Sequence, residues 1–422
     1  MKKIIVLAFP GNNCEIETAR ALKTAGFDAE IVRWNADPQK IETADGVILP
    51  GGFSFEDRGR AGVIAAKSEI SGLLKKMATA GKPILGICNG AQILVEMGLV
   101  PGFHSGKVEM ALARNRREKN GKILGTGFFH DFIFLKKAEN SAFSYFEKIL
   151  KMPIAHGEGR FLATPEIADA IDKNGQIVMK YVDENGAENP DFPVNPNGSF
   201  LNAAAISNPA GNVVAMMPHP ERVTGGAAIW ASLRDFFDGK IPKKVPKKIP
   251  KTSPAVEISP KKSFEIEIFV RLKITDTAEI SMESAAQNLL KNQKIKLTRR
   301  IFWGIKTLEN PHKIAEKLIA SDEFLNEAKE SAFLKIGDEF FAVKNKKLEK
   351  RETFSPVFGF FSAEKDDLLG AEKSEMLKKH AGISVAISSG IFWEISPKIS
   401  LEKIAATNLF ANPVSGKLFT EK

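Results

Sequence analysis

Pro83-Ile-Leu-Gly-Ile-Cys88-Asn-Gly-Ala-Gln92 reads as a short buried strand over Pro83–Cys88, a sharp turn, and a helix over Ala91–Met97. Gly86 and Gly90 permit the tight turn that lifts the side chain between them out of the sheet. This is the nucleophile-elbow pattern with Cys in place of Ser. A thiol at this position gains from the exposed N–H groups of the helix N-terminus, which favour a thiolate. A buried structural cysteine is the competing reading. The paired glycines and the strand-helix context favour a nucleophile.

Upstream, apolar runs alternate with helical patterns. Lys3–Phe9, Ala29–Trp34 and Gly46–Leu49 read as strands, Glu15–Ala25 and Gly62–Ala80 as helices. Such alternation predicts an α/β fold with a parallel sheet and helices on both faces. Sites in these sheets lie beyond the carboxyl ends of strands. Pro50-Gly51-Gly52 and Cys88 both fall there.

A nucleophile needs a base held by a third group. The strand Val213–Met217 runs into Pro218-His219-Pro220-Glu221-Arg222. The prolines stiffen the loop, so His219 can face the thiol while Glu221 fixes the ring. Of six histidines, His104, His130, His312 and His380 lack such a setting, and His156 in His156-Gly157-Glu158-Gly159 is the one competitor. Acyl transfer also needs an oxyanion hole. The Asn89 N–H is one donor by elbow logic, and the Gly52–Phe53 backbone is the expected source of a second.

Composition narrows the remaining classes. The 422 residues suggest about three units at roughly 150 residues each. Two cysteines are too few for a disulfide framework, no Cys/His spacing suggests a metal site, and a reducing cytoplasm fits. No apolar run approaches the roughly 18 residues of a membrane span. The start, Met-Lys-Lys-Ile-Ile-Val-Leu, lacks a following small-residue cleavage site and reads as a first strand rather than a signal peptide. The net charge is +9, but residues 240–262 hold eight lysines against one glutamate, a net of +7. No basic face for nucleic acid is therefore inferred. This Lys/Pro segment, 239–262, reads as an extended, solvated linker.

Beyond it, Arg300-Ile-Phe-Trp-Gly-Ile305 recurs ninety residues later as Gly390-Ile-Phe-Trp-Glu-Ile395, and Lys313-Ile-Ala recurs as Lys403-Ile-Ala. Glu265-Ile-Glu-Ile-Phe-Val alternates as a strand, and Pro356-Val-Phe-Gly-Phe-Phe-Ser can play the same part in a second copy. Each copy reads strand, helix, strand pair, helix. A fixed offset points to a duplicated α+β unit whose two copies join their sheets as a pseudo-dimer.

Six stretches together resemble the class I glutamine amidotransferases, and within them the PurQ-type glutaminase family of phosphoribosylformylglycinamidine synthase. They are Gly11-Asn-Asn-Cys14-Glu15, Pro50-Gly-Gly-Phe-Ser54 with Asp57 and Arg60, Gly86-Ile-Cys-Asn-Gly90 with Gln92, Ala155-His-Gly-Glu-Gly159, Asn195-Pro-Asn-Gly-Ser199, and Met216-Met-Pro-His-Pro-Glu-Arg222. The resemblance implies a flavodoxin-like, mostly parallel glutaminase domain over 1–238. It implies that Cys88 attacks glutamine, that His219 relays protons and that Glu221 orients it. Gln92 would contact the bound glutamine, and His156 and Glu158 would lie near the site. Cys14 would be a packing residue there. Residues 263–345 and 354–422 resemble, by element order, the small PurS subunit, here in tandem. ATP and Mg are expected on a separate PurL-type synthase, because this sequence has no Gly-rich Lys-Ser/Thr phosphate loop. No cofactor or metal is expected in the chain itself. One departure is Glu56, where many relatives carry Gly. The competing readings are the glutaminase of another amidotransferase complex, a Cys peptidase of similar fold, and a non-enzymatic assembly protein.

Overall fold

A computed structural model describes residues 1–138, 149–241, 246–351 and 358–420. The sequence expectations for linker residues 242–245 and for the start of the second repeat, 354–357, lie outside them. The chain divides into two compact units, Met1–Pro254 and Ala255–Lys422.

The first unit is built on a nine-stranded sheet. Its order is Asp28–Arg33, Lys3–Ala8, Gly46–Leu49, Ile84–Ile87, Val213–Met216, Ala203–Ser207, Ile177–Val182, Phe129–Lys137, Leu150–His156. The first five strands are parallel to one another. The remaining pairings are antiparallel. The expectation of a mostly parallel sheet is thereby corrected to a mixed one. Alternating strand-helix order extends only through the first half of the unit, so the antiparallel half had no local signature. Ile4, Ile5, Val6 and Leu7 are all fully buried, as a central strand covered on both faces requires.

The expected long helix over 62–80 is two helices, Val63–Ala66 and Ile70–Thr79. The Lys/Pro segment also departs from the solvated linker read from its charges. Asn174 Oδ1 accepts from the Lys247 and Lys248 N–H groups at 2.7 and 2.8 Å, and Asn174 Nδ2 donates to Lys248 O at 2.6 Å. Lys251 N–H donates to Glu166, Ser253 to Glu109, and Pro250 is buried. Backbone hydrogen bonding to a buried asparagine outweighs lysine repulsion, because each lysine can still reach solvent or a carboxylate.

The second unit holds another nine-stranded sheet: Glu257–Pro260, Gly416–Thr420, Gly359–Glu364, Ala386–Ser396, Lys296–Lys306, Ile266–Leu272, Glu330–Ile336, Glu339–Lys344, Lys347–Arg351. Its two halves repeat one order. Strand Ile266–Leu272, helix Thr277–Leu289, strand Lys296–Lys306, helix Pro311–Ala320 and strand Glu330–Ile336 correspond to Gly359–Glu364, Leu368–Ala381, Ala386–Ser396, Leu401–Ala406 and Gly416–Thr420. The expected strand pair in each copy is one eleven-residue strand followed, after a helix, by a third strand.

The two long strands pair antiparallel with Ile301 opposite Ile391. These residues are also equivalents in the repeat, so a pseudo-twofold axis passes between them. One sheet face packs Ile266, Ile268 and Trp303 against helix residues Ile314, Leu318 and Leu377. The other gathers Phe269, Phe302, Phe361 and Phe392, with the Phe302–Phe361 and Phe361–Phe392 rings 4.7 and 4.8 Å apart. The symmetry breaks beside the axis. Arg300 pairs with Glu394 at 2.9 Å, while their repeat mates are Gly390 and Gly304. Among the described residues, no helix is long and apolar enough to cross a membrane.

Candidate active site

Strand Ile84–Ile87 and the helix Asn89–Glu96 meet at Cys88, whose backbone sits at φ 50°, ψ −105°. Such a conformation is strained for a non-glycine residue. It is held from both sides: Cys88 N–H donates to Met216 O at 2.8 Å, and the Ala91 N–H reaches back to Cys88 O at 3.0 Å. The two glycines are needed for packing. A Cβ on Gly86 would lie 2.4 Å from Gly90 O, and one on Gly90 2.0 Å from Leu49 O. The elbow thus nests directly against the neighbouring strand.

His219 follows strand Val213–Met216 and anchors its own N–H on Pro153 O at 3.0 Å. Its Nδ1 meets Glu221 Oε1 at 2.6 Å, with both side chains almost wholly enclosed. Burial by itself would lower the imidazole pKa. The charge on Cys88, the thiols of Cys14 and Cys88 and the Glu221 carboxylate overcome it and raise the value well above the usual one. The site therefore favours the protonated imidazole. Gly51 lies at the junction of these groups. A Cβ there would fall 2.8 Å from His219 Cε1, 3.0 Å from Cys14 Sγ and 3.5 Å from Cys88 Cβ. Only a glycine leaves this space open.

Of the expected oxyanion donors, Phe53 N–H is already spent on Gly11 O at 3.0 Å. The Gly52 and Asn89 N–H groups lie at the rim beside it. The Asn89 side chain, absent from the sequence reading, brackets the whole rim. Its Oδ1 accepts from Ser54 N–H at 2.9 Å, and its Nδ2 donates to Asp57 Oδ1 at 3.0 Å and to Gln92 Oε1 at 2.9 Å. This bracket holds a loop in which Phe55, Glu56 and Asp57 all have left-handed backbones, φ 52°, 56° and 52°. Glycine suits that conformation best; here Glu56 adopts it and pairs with Arg58 at 2.9 Å.

The Gln92 amide makes one bond at each end. Its Oε1 takes the Asn89 bond and its Nε2 donates to Glu158 O at 2.6 Å. Below it lies a buried charged group. Burial, reinforced by the Asp57 charge, pushes the Glu158 carboxyl up to about 7, against a partial offset from Arg60. Burial likewise pushes Asp57 to about 6, resisted by the Asn89 and Gly62 amides. Arg60 pairs with Glu96 at 2.7 Å.

His156 is near the site but bonded elsewhere. Its Nδ1 faces Asn115 Oδ1 at 3.2 Å, and burial, then the His219 charge, holds its pKa down to about 3, so the ring is neutral. The Asn195–Ser199 stretch is a buttress: Asn197 Nδ2 donates to Gly159 O at 2.8 Å, and Ser199 Oγ accepts from Phe161 N–H at 3.1 Å.

A buried thiol on an elbow, close to an imidazole that a carboxylate holds, is an arrangement that cysteine-dependent acyl transfer on an α/β sheet can use. Residues 1–234 match the CobB/CobQ-like glutamine amidotransferase domain, and the chain belongs to this family of enzymes. Within it the first unit is of the PurQ type. It is 43% identical over 249 residues to the PurQ subunit of phosphoribosylformylglycinamidine synthase from Methanothrix thermoacetophila, covering 57% of this chain and 90% of that one. The PurQ subunit of Pyrococcus furiosus is 42% identical over 228 residues, covering 53% and 90%. A chain of the PurLQS structure from Thermotoga maritima is 31% identical, with a TM-score of 0.44, covering 56% of this chain and 99% of that one.

Proposed function

We propose that the protein is the glutaminase component of phosphoribosylformylglycinamidine synthase, acting through Cys88, His219 and Glu221. The observation that carries this is the pairing of a strained, buried Cys88 with an imidazole whose other nitrogen is locked to an enclosed carboxylate at 2.6 Å. Cys88 Sγ attacks the side-chain carbonyl carbon of glutamine, and the Gly52 and Asn89 N–H groups face the oxygen as it gains charge. His219 gives its proton to the leaving amine, releasing ammonia and a glutamyl thioester. It then takes a proton from water, which opens the thioester to glutamate and restores the thiol. The Asn89 side chain holds the rim, and the remaining N–H of the Gln92 amide can meet the bound glutamine.

Ammonia in water is mostly protonated at neutral pH and then no longer a nucleophile. The reading therefore includes delivery to a PurL-type synthase that uses ATP and Mg to convert FGAR to FGAM in the cytoplasm. The second unit, with its twofold repeat of a small α+β motif, is read as a tandem PurS-like pair that bridges glutaminase and synthase. The 239–262 segment is the join between the two, with the domain bounds given above. No metal or cofactor enters the steps assigned to this chain.

The test is Cys88→Ala in the reconstituted synthase. Glutamine-dependent turnover should vanish while ammonia-dependent turnover persists; loss of both sinks the assignment. Covalent labelling of Cys88 by a diazo-ketone glutamine analogue separates this reading from a peptidase. A chain lacking residues 255–422 that still binds the synthase removes the bridging role.

A further inference from the structure

The second unit carries a hollow of about 590 Å³ on the phenylalanine face of its sheet, lined by residues of that unit alone. It lies in the second copy of the repeat, and the divergence of the two copies opens it. Strand pairing fixes the equivalents. Phe269 opposite Phe302 matches Phe361 opposite Phe392, and Arg271 opposite Ser331 matches Ala363 opposite Lys417. The register of Ile301 with Ile391 likewise matches Thr298 and Arg300 to Ser388 and Gly390. Side chains alternate along a strand, so these positions share the face of Phe302 and Phe361. Ala363, Ser388 and Gly390 thus stand where the first copy has Arg271, Thr298 and Arg300. Each exchange removes volume, and all three small residues line the hollow.

Its floor is Phe302 and Phe361, both buried, with rings 4.7 Å apart. Lys261 Nζ stands 4.9 Å from the Phe361 ring centre and pairs with Glu267 at 2.9 Å. Phe264 and Phe419 keep part of their rings exposed at the walls. Lys417, where the first copy has serine, sits over Phe419 with Nζ 5.0 Å from the ring centre. Lys262 and Lys417 pair with no carboxylate among the described residues. The Asp367 carboxylate is engaged by the Gly370 and Ser389 N–H groups at 2.9 and 2.7 Å. The lining therefore joins aromatic walls to an excess of positive charge, which favours an anion.

We propose that this hollow binds a nucleoside monophosphate, with the base against Phe264 and Phe419 and the phosphate at Lys262 and Lys417. Aromatic side chains take any base by its flat face. A phosphate dianion suits two lysines better than a single carboxylate does, and the Ser388 hydroxyl suits a ribose better than an acyl chain. Cavities of about 300–1,000 Å³ hold ligands of this size. The site does not rest on the glutaminase reading.

The test is calorimetric titration of the full chain with adenosine monophosphate. One equivalent should bind, and adenosine or inorganic phosphate alone should each bind at least about tenfold more weakly. Lys417→Ser restores the residue of the first copy and should weaken binding about tenfold. Ala363→Arg restores the first copy's bulk and should block binding although it adds a positive charge; loose attraction to a basic surface would grow instead. Absence of binding to the wild type overturns the proposal, as does unchanged affinity in Ala363→Arg. Inorganic phosphate binding as tightly as the nucleotide reduces the site to an anion contact and also overturns it. Should Ala363→Arg lose its thermal transition, Lys417→Ser decides, and an unchanged affinity there refutes the site.

Discussion

Replacing Glu158 by Gln should stabilise the first unit at alkaline pH and leave it almost unchanged in acid. The Glu158 carboxyl is pushed from 4.5 to about 7 because it is buried beside Asp57. A folded-state value above the unfolded one means that the native state binds the proton more tightly. The stability this provides is complete below the unfolded value, and it is lost as pH rises through about 7. At 1.36 kcal/mol per unit the full loss is about 3 kcal/mol. Part of Glu158 still touches solvent, which brings the expectation to about 2 kcal/mol.

Glutamine mimics the protonated carboxyl in shape and charge and cannot ionise. At pH 5 the two proteins should differ by less than about 1 kcal/mol. At pH 8 the variant should lead by about 2 kcal/mol. Hydrogen exchange of the Ile84–Ile87 amides reads the opening of this unit without interference from the other, and comparing both proteins at one pH cancels the intrinsic exchange rate. A difference that does not change between pH 5 and 8 would refute the buried, protonated carboxyl, as would a more stable wild type at pH 8.

Other expectations concern single contacts. Gly51→Ala puts a methyl 2.8 Å from His219 Cε1; a displacement of this order at the base should cost about a hundredfold in glutaminase kcat, with little change in the thermal melt. Asn89→Ala removes the three bonds of the rim bracket and strands Asp57 and the Ser54 N–H. Thermal and urea unfolding should report a loss of about 2–4 kcal/mol, and steady-state assays a fall in kcat larger than any change in KM. Asn174→Ala frees the backbone of Lys247 and Lys248. Losing bonds worth about 1 kcal/mol each should speed tryptic cleavage there by about thirtyfold or more. Phe392→Ala, at a fully buried position near the pseudo-twofold axis, should cost the second unit about 3–5 kcal/mol, seen by calorimetry as a fall in one transition while the other holds.

Much of the site was legible because it is local. The strand, the glycines around Cys88 and the helix after it lie within ten residues. His219 and Glu221 are two residues apart, and the prolines between and around them restrict how that loop can turn. The recurrence of Ile-Phe-Trp announced a repeat, while the structure decided that its strands pair with Ile301 opposite Ile391. What the sequence did not show has physical causes as well. The partners that Phe53 N–H and the Gln92 amide find in Gly11 O, Asn89 and Glu158 O are set by packing between distant segments, which no local spacing records. The lysine-rich segment was read from its charge, but a buried Asn174 holds it by its backbone, which composition does not record.

The sequence by itself determined the glycine-flanked elbow at Cys88, the proline-bound loop of His219 and Glu221, and the two copies behind the Lys/Pro segment, since each is written in short-range spacing and periodicity. Only the tertiary structure decided which half of the first sheet turns antiparallel, how the Asn89 bracket spans the rim, and where Cys14 lies. Cys14 and Arg222 are 208 positions apart in the chain. No spacing rule links a thiol there to His219; strand order and packing around Gly51 bring them together.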